Sequence, residues 1–411
     1  MIGLIGKSLK HSYSKELYQL SINKKYKLIE LKKVDKFLKQ RKFEYVNVTY
    51  PFKKSVIPFL DCKSKIVEKT GVCNLIVNRG GKLFGYNTDA SGFDDLLDSN
   101  DVNVTGKTIL ILGNGATKET VVYCLKKRNV KKIIIACRNK KDESEFYFNE
   151  ISGEGIEIII NATPVGQQLN DENLIDFSLF KNLETYIDLV YNPKTTNMMF
   201  EAKKLKKGSI NGLTMLVSQA KLSHSIATGI ITPSAFWARG KMFLQFGHSN
   251  IIFIGLPTAG KTKNINYISS FKILKTSVID TDKAIEKSTN MSIAKLFKNK
   301  GETYFRQEEN KIINRIYTKQ GLFIATGGGT LLNYENYRKL SYFGTFIYLK
   351  KQKFDDYIND GTRPLAKSKN DIEKLYQERK KMYEEYADIT VPSDIDPKQC
   401  LFEVINALTN N

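Results

Sequence analysis

Gly255-Leu256-Pro257-Thr258-Ala259-Gly260-Lys261-Thr262 is a complete G-x-x-x-x-G-K-[ST] run, set between the apolar residues 251–254 and a polar segment compatible with a helix. Such a loop lets backbone N–H groups approach phosphate oxygens, with Lys261 reaching the β/γ-phosphates of a nucleotide and the Thr262 hydroxyl able to ligate Mg²⁺. Asp280-Thr281-Asp282 ends a strand that reaches Ile279. One of these carboxylates can serve the Mg²⁺ shell and the other a substrate hydroxyl, although the same tripeptide also reads as a helix cap. Far upstream, Lys53 closes the run Asn47-Val48-Thr49-Tyr50-Pro51-Phe52, and Asp89 follows Asn87-Thr88. A lysine held by a carboxylate can shuttle a proton to a carbonyl oxygen, while spacing alone is met more simply by a surface salt bridge. Ser12 and Ser14 flank one residue and can both point at an anion, or simply cap a turn.

These groups need elements to carry them. Apolar residues 108–112 run into Gly113-Asn114-Gly115-Ala116-Thr117-Lys118 and a helical pattern, a strand, glycine turn and helix suited to a dinucleotide pyrophosphate. Lys118 occupies the third fingerprint position, where glycine or alanine allows close packing. The next strand, 132–137, ends in Arg138-Asn139-Lys140-Lys141 with no Asp or Glu to accept a ribose 2′-OH. Basic residues there suit a 2′-phosphate, which favours NADP over NAD. Gly71-Val72-Cys73-Asn74 precedes a hairpin turning at Arg79-Gly80-Gly81-Lys82, and residues 221–246 read as helices broken at Thr232-Pro233. Gly301-Glu302-Thr303-Tyr304-Phe305-Arg306 opens a helix; Phe323 to Gly329 is a strand emptying into three glycines; a helix over 371–387 carries Arg379 and Tyr383.

Composition sets the outer limits. A length of 411 residues predicts two or three domains, and 41% hydrophobic with 26% charged residues is ordinary for a globular protein. The five cysteines form no C-x-x-C pair, so they read as reduced, mostly core thiols. No run approaches the roughly 18 apolar residues of a membrane span, and the cytoplasm is the default location. The net charge of +21 raises the question of nucleic acid. With only ten arginines, and lysines spread along the chain beside acids, it reads instead as a solvated surface that suits small anionic substrates. Neither a nucleic-acid nor a membrane partner is expected; a homodimer is left open.

Over about residues 1–245 the order of motifs resembles shikimate dehydrogenase. The matching stretches are His11-Ser12-Tyr13-Ser14, Asn47 through Lys53, Asn87-Thr88-Asp89 with Gly92-Phe93, Asn161-Ala162-Thr163-Pro164, Asp188 through Pro193 with Thr196, and Asn211-Gly212-Leu213 with Met215 and Gln219. The resemblance implies NADPH-dependent reduction of 3-dehydroshikimate, with Lys53 handling the proton and Asp89 positioning it. Ser12, Ser14, Asn47, Thr49, Asn74, Tyr191 and Gln219 would hold the substrate. Gly113, Gly115, Ala116, Arg138, Thr163, Gly212 and Met215 would hold the cofactor. Lys15 replaces the family's proline, Tyr18-Gln19 stands where His-Asn is usual, and the span from Arg138 to Asn161 is short, so that one Rossmann βα unit looks truncated.

Residues 249–411 resemble shikimate kinase. By that resemblance Asp282, Arg306, Gly328, Gly329 and Arg379 bind shikimate; Gly255, Gly260, Lys261 and Thr262 bind Mg·ATP; and Asp280 supports the metal. Arg363 would close over the phosphates from a mobile lid at 354–374, and Pro257-Thr258-Ala259 replaces the more usual Met-Gly-x. The expected architecture is α/β. A dehydrogenase substrate domain (1–100, completed by 213–245) and a shortened Rossmann NADP domain (101–212) lead through a linker (246–250) to a P-loop kinase domain with a parallel sheet (251–411). Two other readings stay open: an active kinase fused to a degenerate, non-catalytic dehydrogenase-like module, and a quinate/shikimate dehydrogenase using NAD.

Overall fold

The computed structural model describes residues 1–270, 277–351, 354, 364–366 and 368–410. The chain divides into two compact units, Met1–Leu244 and Gln245 onward.

The first unit contains two six-stranded sheets. Strands β1 (Ile2–Gly6), β2 (Lys27–Glu30), β3 (Tyr45–Val48), β4 (Cys62–Lys63), β5 (Leu75–Arg79) and β6 (Lys82–Tyr86) form a mixed sheet in the order β2-β1-β3-β5-β6-β4. Edge strand β2 starts and ends on exposed charges, whereas the inner strand β3 is buried throughout. The chain returns to this sheet late: Leu213, Val217 and Ala220 of the helix Leu213–Thr228, and Trp237 and Leu244 of the helix Ser234–His248, share a core with Leu4, Tyr45 and Leu75.

The second sheet holds β7 (Thr108–Leu112), β8 (Lys132–Cys137), β9 (Glu145–Tyr147), β10 (Ile158–Asn161), β11 (Thr185–Asp188) and β12 (Gly208–Asn211), all parallel, in the order β12-β11-β10-β7-β8-β9. Both β7 and β10 are apolar almost without interruption because a parallel sheet is covered on its two faces. Counted from β7, the order is that of a dinucleotide-binding fold, whose ligand crevice opens where the winding reverses, between β7 and β10. The shortening inferred from sequence therefore has a specific form. No strand is lost; the crossover helix is, since between Cys137 and Ile158 the described elements are β9 and the single 3-10 turn Phe148–Glu150.

In the second unit β13 (Asn250–Ile254), β14 (Ser277–Asp280), β15 (Leu322–Ala325), β16 (Gly344–Lys350) and β17 (Ile389–Pro392) make a parallel sheet ordered β14-β15-β13-β16-β17. Apolar clusters cover both faces. Within the segment 246–250 the helix ends at His248 and β13 begins at Asn250. The buried Asn250 amide accepts from Leu322 N and donates to Lys319 O, each at 2.9 Å, which explains a polar residue at the head of a central strand. Four of the five cysteines are buried and all are free, Cys62 being the exposed one. Among the described residues no helix is long and apolar enough to cross a membrane.

Candidate active sites

In the first unit, β3 and the turn after it deliver Lys53, while the helix Asp89–Asp98 delivers Asp89 at its first position. Their side chains meet, Lys53 Nζ lying 2.8 Å from Asp89 Oδ2 with both largely buried, so this is not a surface salt bridge. The other Asp89 oxygen accepts from Asn74 Nδ2 at 2.8 Å, and the same amide lies 3.4 Å from Gln219 Oε1. Lys53, Asp89, Asn74 and Gln219 thus form one group drawn from four separated stretches. Behind it stands a buried polar network: Asn74 Nδ2 to Thr88 Oγ1 at 2.9 Å, Thr88 to Ser223 Oγ at 2.9 Å, and Asn47 Nδ2 to Ser223 Oγ at 2.9 Å. Asn47 Oδ1 also accepts from Tyr26 OH at 2.9 Å, so the amide expected at the substrate has its capacity committed inside the fold. Ser12 and Ser14 hydroxyls are 3.2 Å apart, and the Tyr191 phenol bonds to Ser12, which brings together three of the expected substrate-binding groups from two segments distant in the chain. Thr49 follows β3 and is half-buried.

The segment that leads to Tyr191 is anchored by a buried carboxylate three residues earlier. Asp188, at the end of β11, accepts from Asn161 Nδ2 (3.0 Å), Val190 N (3.0 Å), Tyr186 OH (2.9 Å) and Thr196 Oγ1 (2.7 Å). Burial pushes its carboxyl up to about 6 against these four donors, each of which favours the anion. In the crevice Gly113 has φ +100°, and a Cβ there would lie 2.6 Å from Thr163 Cγ2, so this turn requires glycine. A Cβ at Gly115 would meet nothing within 4 Å, which leaves room over the helix that begins at Ala116. Gly212 opens the helix carrying the buried Met215, and a Cβ at Gly212 would lie 2.2 Å from Leu189 O. Arg138 is exposed and has no hydrogen-bond or ion-pair partner among the described residues. A carboxylate does stand at the end of β8 after all: Glu145, contributed by neighbouring β9, with one oxygen already accepting from Asn114 Nδ2 and Lys141 N.

In the second unit Asp280 is a helix cap that also meets the phosphate loop. Its Oδ1 caps the following helix, accepting from Asp282 N and Lys283 N at 3.1 Å each, and its Oδ2 accepts from Thr262 Oγ1 at 2.6 Å. Asp282 faces a cavity of about 600 Å³ lined also by Lys261, Arg306, Gly328, Gly329 and Arg379. Its buried Oδ1 has no hydrogen-bond partner among the described residues. Burial and neighbouring Asp280 push this carboxyl up to about 6, with Lys261 pulling the other way. Arg306 forks onto Glu302 at 3.0 Å and Glu309 at 2.9 Å. A Cβ at Gly329 would lie 2.4 Å from the Arg306 guanidinium, so a side chain there would displace the arginine head from its present place. Lys261 Nζ turns back onto its own loop, donating to Gly255 O at 2.8 Å and Leu256 O at 2.7 Å. Arg363 lies outside the described residues, as do 355–362 and 367 of the expected lid, whereas its end from Lys369 belongs to the helix Lys369–Tyr386.

A curated shikimate dehydrogenase (NADP(+)) of Clostridium beijerinckii is 34% identical over 243 residues, spanning 54% of this chain and 90% of the relative. The chain belongs to the shikimate dehydrogenase family. The Pelagibacter ubique shikimate dehydrogenase (NADP(+)) agrees, at 35% identity over 54% of this chain and 91% of its own length. Among solved structures, shikimate dehydrogenase 1 of Peptoclostridium difficile superposes with a TM-score of 0.55 at 29% identity, covering 59% of this chain and 97% of the other. The profile of the shikimate dehydrogenase substrate-binding domain matches residues 4–76, and that of shikimate kinase matches 257–409. The chain is therefore a shikimate-pathway fusion enzyme, a shikimate dehydrogenase followed by a shikimate kinase domain.

Sequence reading of this shikimate dehydrogenase and its kinase partner passed over several residues that the fold uses. Ser223 and Glu145 give no local signal. Glu309 could have been found: it follows Arg306 by one helical turn, is 1% exposed, and also accepts from Thr330 Oγ1 at 2.6 Å. The Tyr383 hydroxyl donates to the Gly328 carbonyl, which ties the Arg379 helix to the glycine turn. The phosphate loop carries one local cost. Thr258 has φ +71°, a left-handed conformation that a β-branched residue adopts only under strain. Thr258→Gly should accordingly stabilise the kinase domain by about 1 kcal/mol, the relieved strain exceeding glycine's added chain entropy. The check is the urea midpoint for loss of shikimate phosphorylation, which should rise.

Proposed function

We propose that the chain reduces 3-dehydroshikimate to shikimate with NADPH and then phosphorylates shikimate to shikimate 3-phosphate with Mg·ATP. What most supports a catalytic first unit over a merely binding one is the largely buried Lys53–Asp89 pair at 2.8 Å. In this reading Lys53 donates the proton to the carbonyl oxygen, and Asp89, itself held by Asn74, fixes the ammonium. Ser12, Ser14 and Tyr191 bind the substrate carboxylate and hydroxyls, with Thr49 and Gln219. The open space over Gly115 and the helix starting at Ala116 fit a pyrophosphate, and the free Arg138 fits a 2′-phosphate. NADPH bound there supplies the hydride. Thr163, Gly212 and Met215 line the nicotinamide side of the same crevice in this assignment.

In the kinase domain Arg306 and Arg379 recognise the shikimate carboxylate, with Gly328 and Gly329 allowing backbone approach. Thr262 and Asp280 offer only oxygen donors 2.6 Å apart, a set that fits Mg²⁺ completed by nucleotide phosphates and water. Mg²⁺ there neutralises phosphate charge. Asp282 orients the attacking hydroxyl and accepts its proton. That role needs the carboxylate, and since the carboxyl is pushed up to about 6 it protonates at a higher pH than an ordinary aspartate. Phosphorylation at saturating substrate should therefore fall about tenfold per pH unit on descending below about pH 6. Asp282→Asn should be slow and lack this limb, as a pH–rate profile would record.

The missing crossover helix favours a second reading, an active kinase joined to a degenerate dehydrogenase-like module. Mass spectrometry after incubation with 3-dehydroshikimate, NADPH, Mg²⁺ and ATP separates the two. Shikimate 3-phosphate is expected. Unchanged 3-dehydroshikimate, with added shikimate still phosphorylated, would establish the second reading instead.

A further inference from the structure

The basic segment after β8 should be poorly held. Strands β8 and β9 are parallel, with Ile135 opposite Glu145 and Cys137 opposite Tyr147, and only residues 138–144 make the crossover. Parallel neighbours ordinarily need about a dozen residues or more, usually including a helix that packs the loop down. Here a side chain takes the helix's place. Glu145 is 2% exposed, and its Oε2 accepts from Asn114 Nδ2 at 2.7 Å, Lys141 N at 2.8 Å and Cys137 Sγ at 3.5 Å. Asn114 belongs to the glycine turn and also donates to Asn139 O at 2.8 Å, while Lys141 Nζ returns a bond to Asn114 O. One buried carboxylate thereby joins the turn that would face the pyrophosphate to the loop that carries Arg138.

We infer that Glu145 is the positioning residue for cofactor choice, its carboxylate fastening the Arg138–Lys141 loop to the glycine turn so that Arg138 is set for the 2′-phosphate of NADPH. The inference rests on the reading of the first unit as an NADPH-dependent dehydrogenase. Three further features agree with it. Lys140 is engaged elsewhere, 2.6 Å from Glu150 and over the Tyr147 ring, so it does not compete with Arg138. Asn114 and the Lys141 N–H hold the Glu145 carboxyl below its ordinary range despite the opposing effect of burial, so the acceptor stays charged. Lys118, the departure in the glycine fingerprint, bears on the same loop by drawing the Asp142 carboxyl down, after the two bonds from Ser144.

Electrostatics without a clamp gives the opposite expectation, because removing a carboxylate near a bound phosphate should tighten NADPH binding. The two accounts therefore differ in sign. The test compares the full-length wild type, Glu145→Gln, Glu145→Asp, Arg138→Ala and the double variant Arg138→Ala/Glu145→Gln in 3-dehydroshikimate reduction with NADPH and with NADH. Shikimate phosphorylation on the same chain serves as the folding control. Glu145→Gln should raise both Kd for NADPH, titrated by its fluorescence without substrate, and KM for NADPH about tenfold, leave kcat within about twofold, and barely change Kd or KM for NADH. Glu145→Asp, which keeps the charge on a shorter arm, should recover part of the loss. In the double variant the preference for NADPH should fall no further than in Arg138→Ala alone, since both changes remove one interaction. Equal rises in KM for both cofactors, unchanged selectivity, or a lower KM for NADPH in Glu145→Gln would each overturn the clamp while leaving the dehydrogenase reading intact. A wild type that does not saturate with NADPH overturns that reading, and the clamp with it.

Discussion

Substituting Lys53 by alanine should lower the rate of 3-dehydroshikimate reduction by about a thousandfold, within the range of roughly 10²–10⁴ that a positioned general acid contributes. The expectation rests on a single ammonium. Lys53 Nζ lies 2.8 Å from Asp89, and Asp89 is fastened through Asn74 to Thr88, so the fold has no second cation held in this way beside the same carboxylate among the described residues. Without Lys53 a carbonyl oxygen gaining charge would face an unpaired carboxylate in a largely buried site, which is worse than facing water. Asp89→Asn, which loosens the lysine but keeps it, should cost less, about 10- to 100-fold. KM for NADPH should move little in either variant, because neither residue belongs to the glycine-turn crevice. Phosphorylation of added shikimate by the same samples should stay within about twofold of wild type. A Lys53→Ala enzyme that keeps more than about a tenth of the reduction rate would remove Lys53 from the proton-donor role.

Lys261→Ala should produce the mirror image: phosphorylation down by about a thousandfold, reduction unaffected. Two losses combine. The charge that would stabilise the transferring phosphoryl group disappears, and the carbonyls of Gly255 and Leu256, which the buried ammonium now bonds at 2.8 and 2.7 Å, lose their donor. Lys261→Arg should recover little, since a planar guanidinium does not fit a site shaped for a compact ammonium. Initial rates of shikimate 3-phosphate formation over a range of ATP concentrations give the comparison. If either alanine variant, still folded, lost both activities, the assignment of one site to each unit would be wrong.

The places where sequence and structure part company share a cause. Asp280 could be read as a metal residue or a helix cap because both uses follow from its own neighbours; in the fold one oxygen caps the helix and the other accepts from Thr262. Lys53 and Asp89 could not be told from a surface pair, since burial of the pair depends on the Leu213–Thr228 helix coming back to the first sheet. The short span after Arg138 was legible as a deletion. Which part had gone was not, because β9 is too short to announce itself and is a strand only by pairing with β8. Asn47 sits in a motif and so reads as a ligand; only the packing of Ser223 and Tyr26 against it commits its amide to the fold.

By itself the sequence determined two nucleotide-binding frames, the phosphate loop and the strand–glycine–helix turn, and the α/β class. Those follow from short runs whose backbone geometry is local: eight residues suffice to shape a phosphate loop, and strand–glycine–helix patterns carry their own periodicity. Tertiary structure alone decided which polar groups face a ligand and which hold the fold, the order of strands around the crevice, and the use of Glu145 in place of a helix. Each of these depends on residues distant in the chain sharing one buried volume, where every donor and acceptor has to find a partner, and no local pattern encodes which partner that will be.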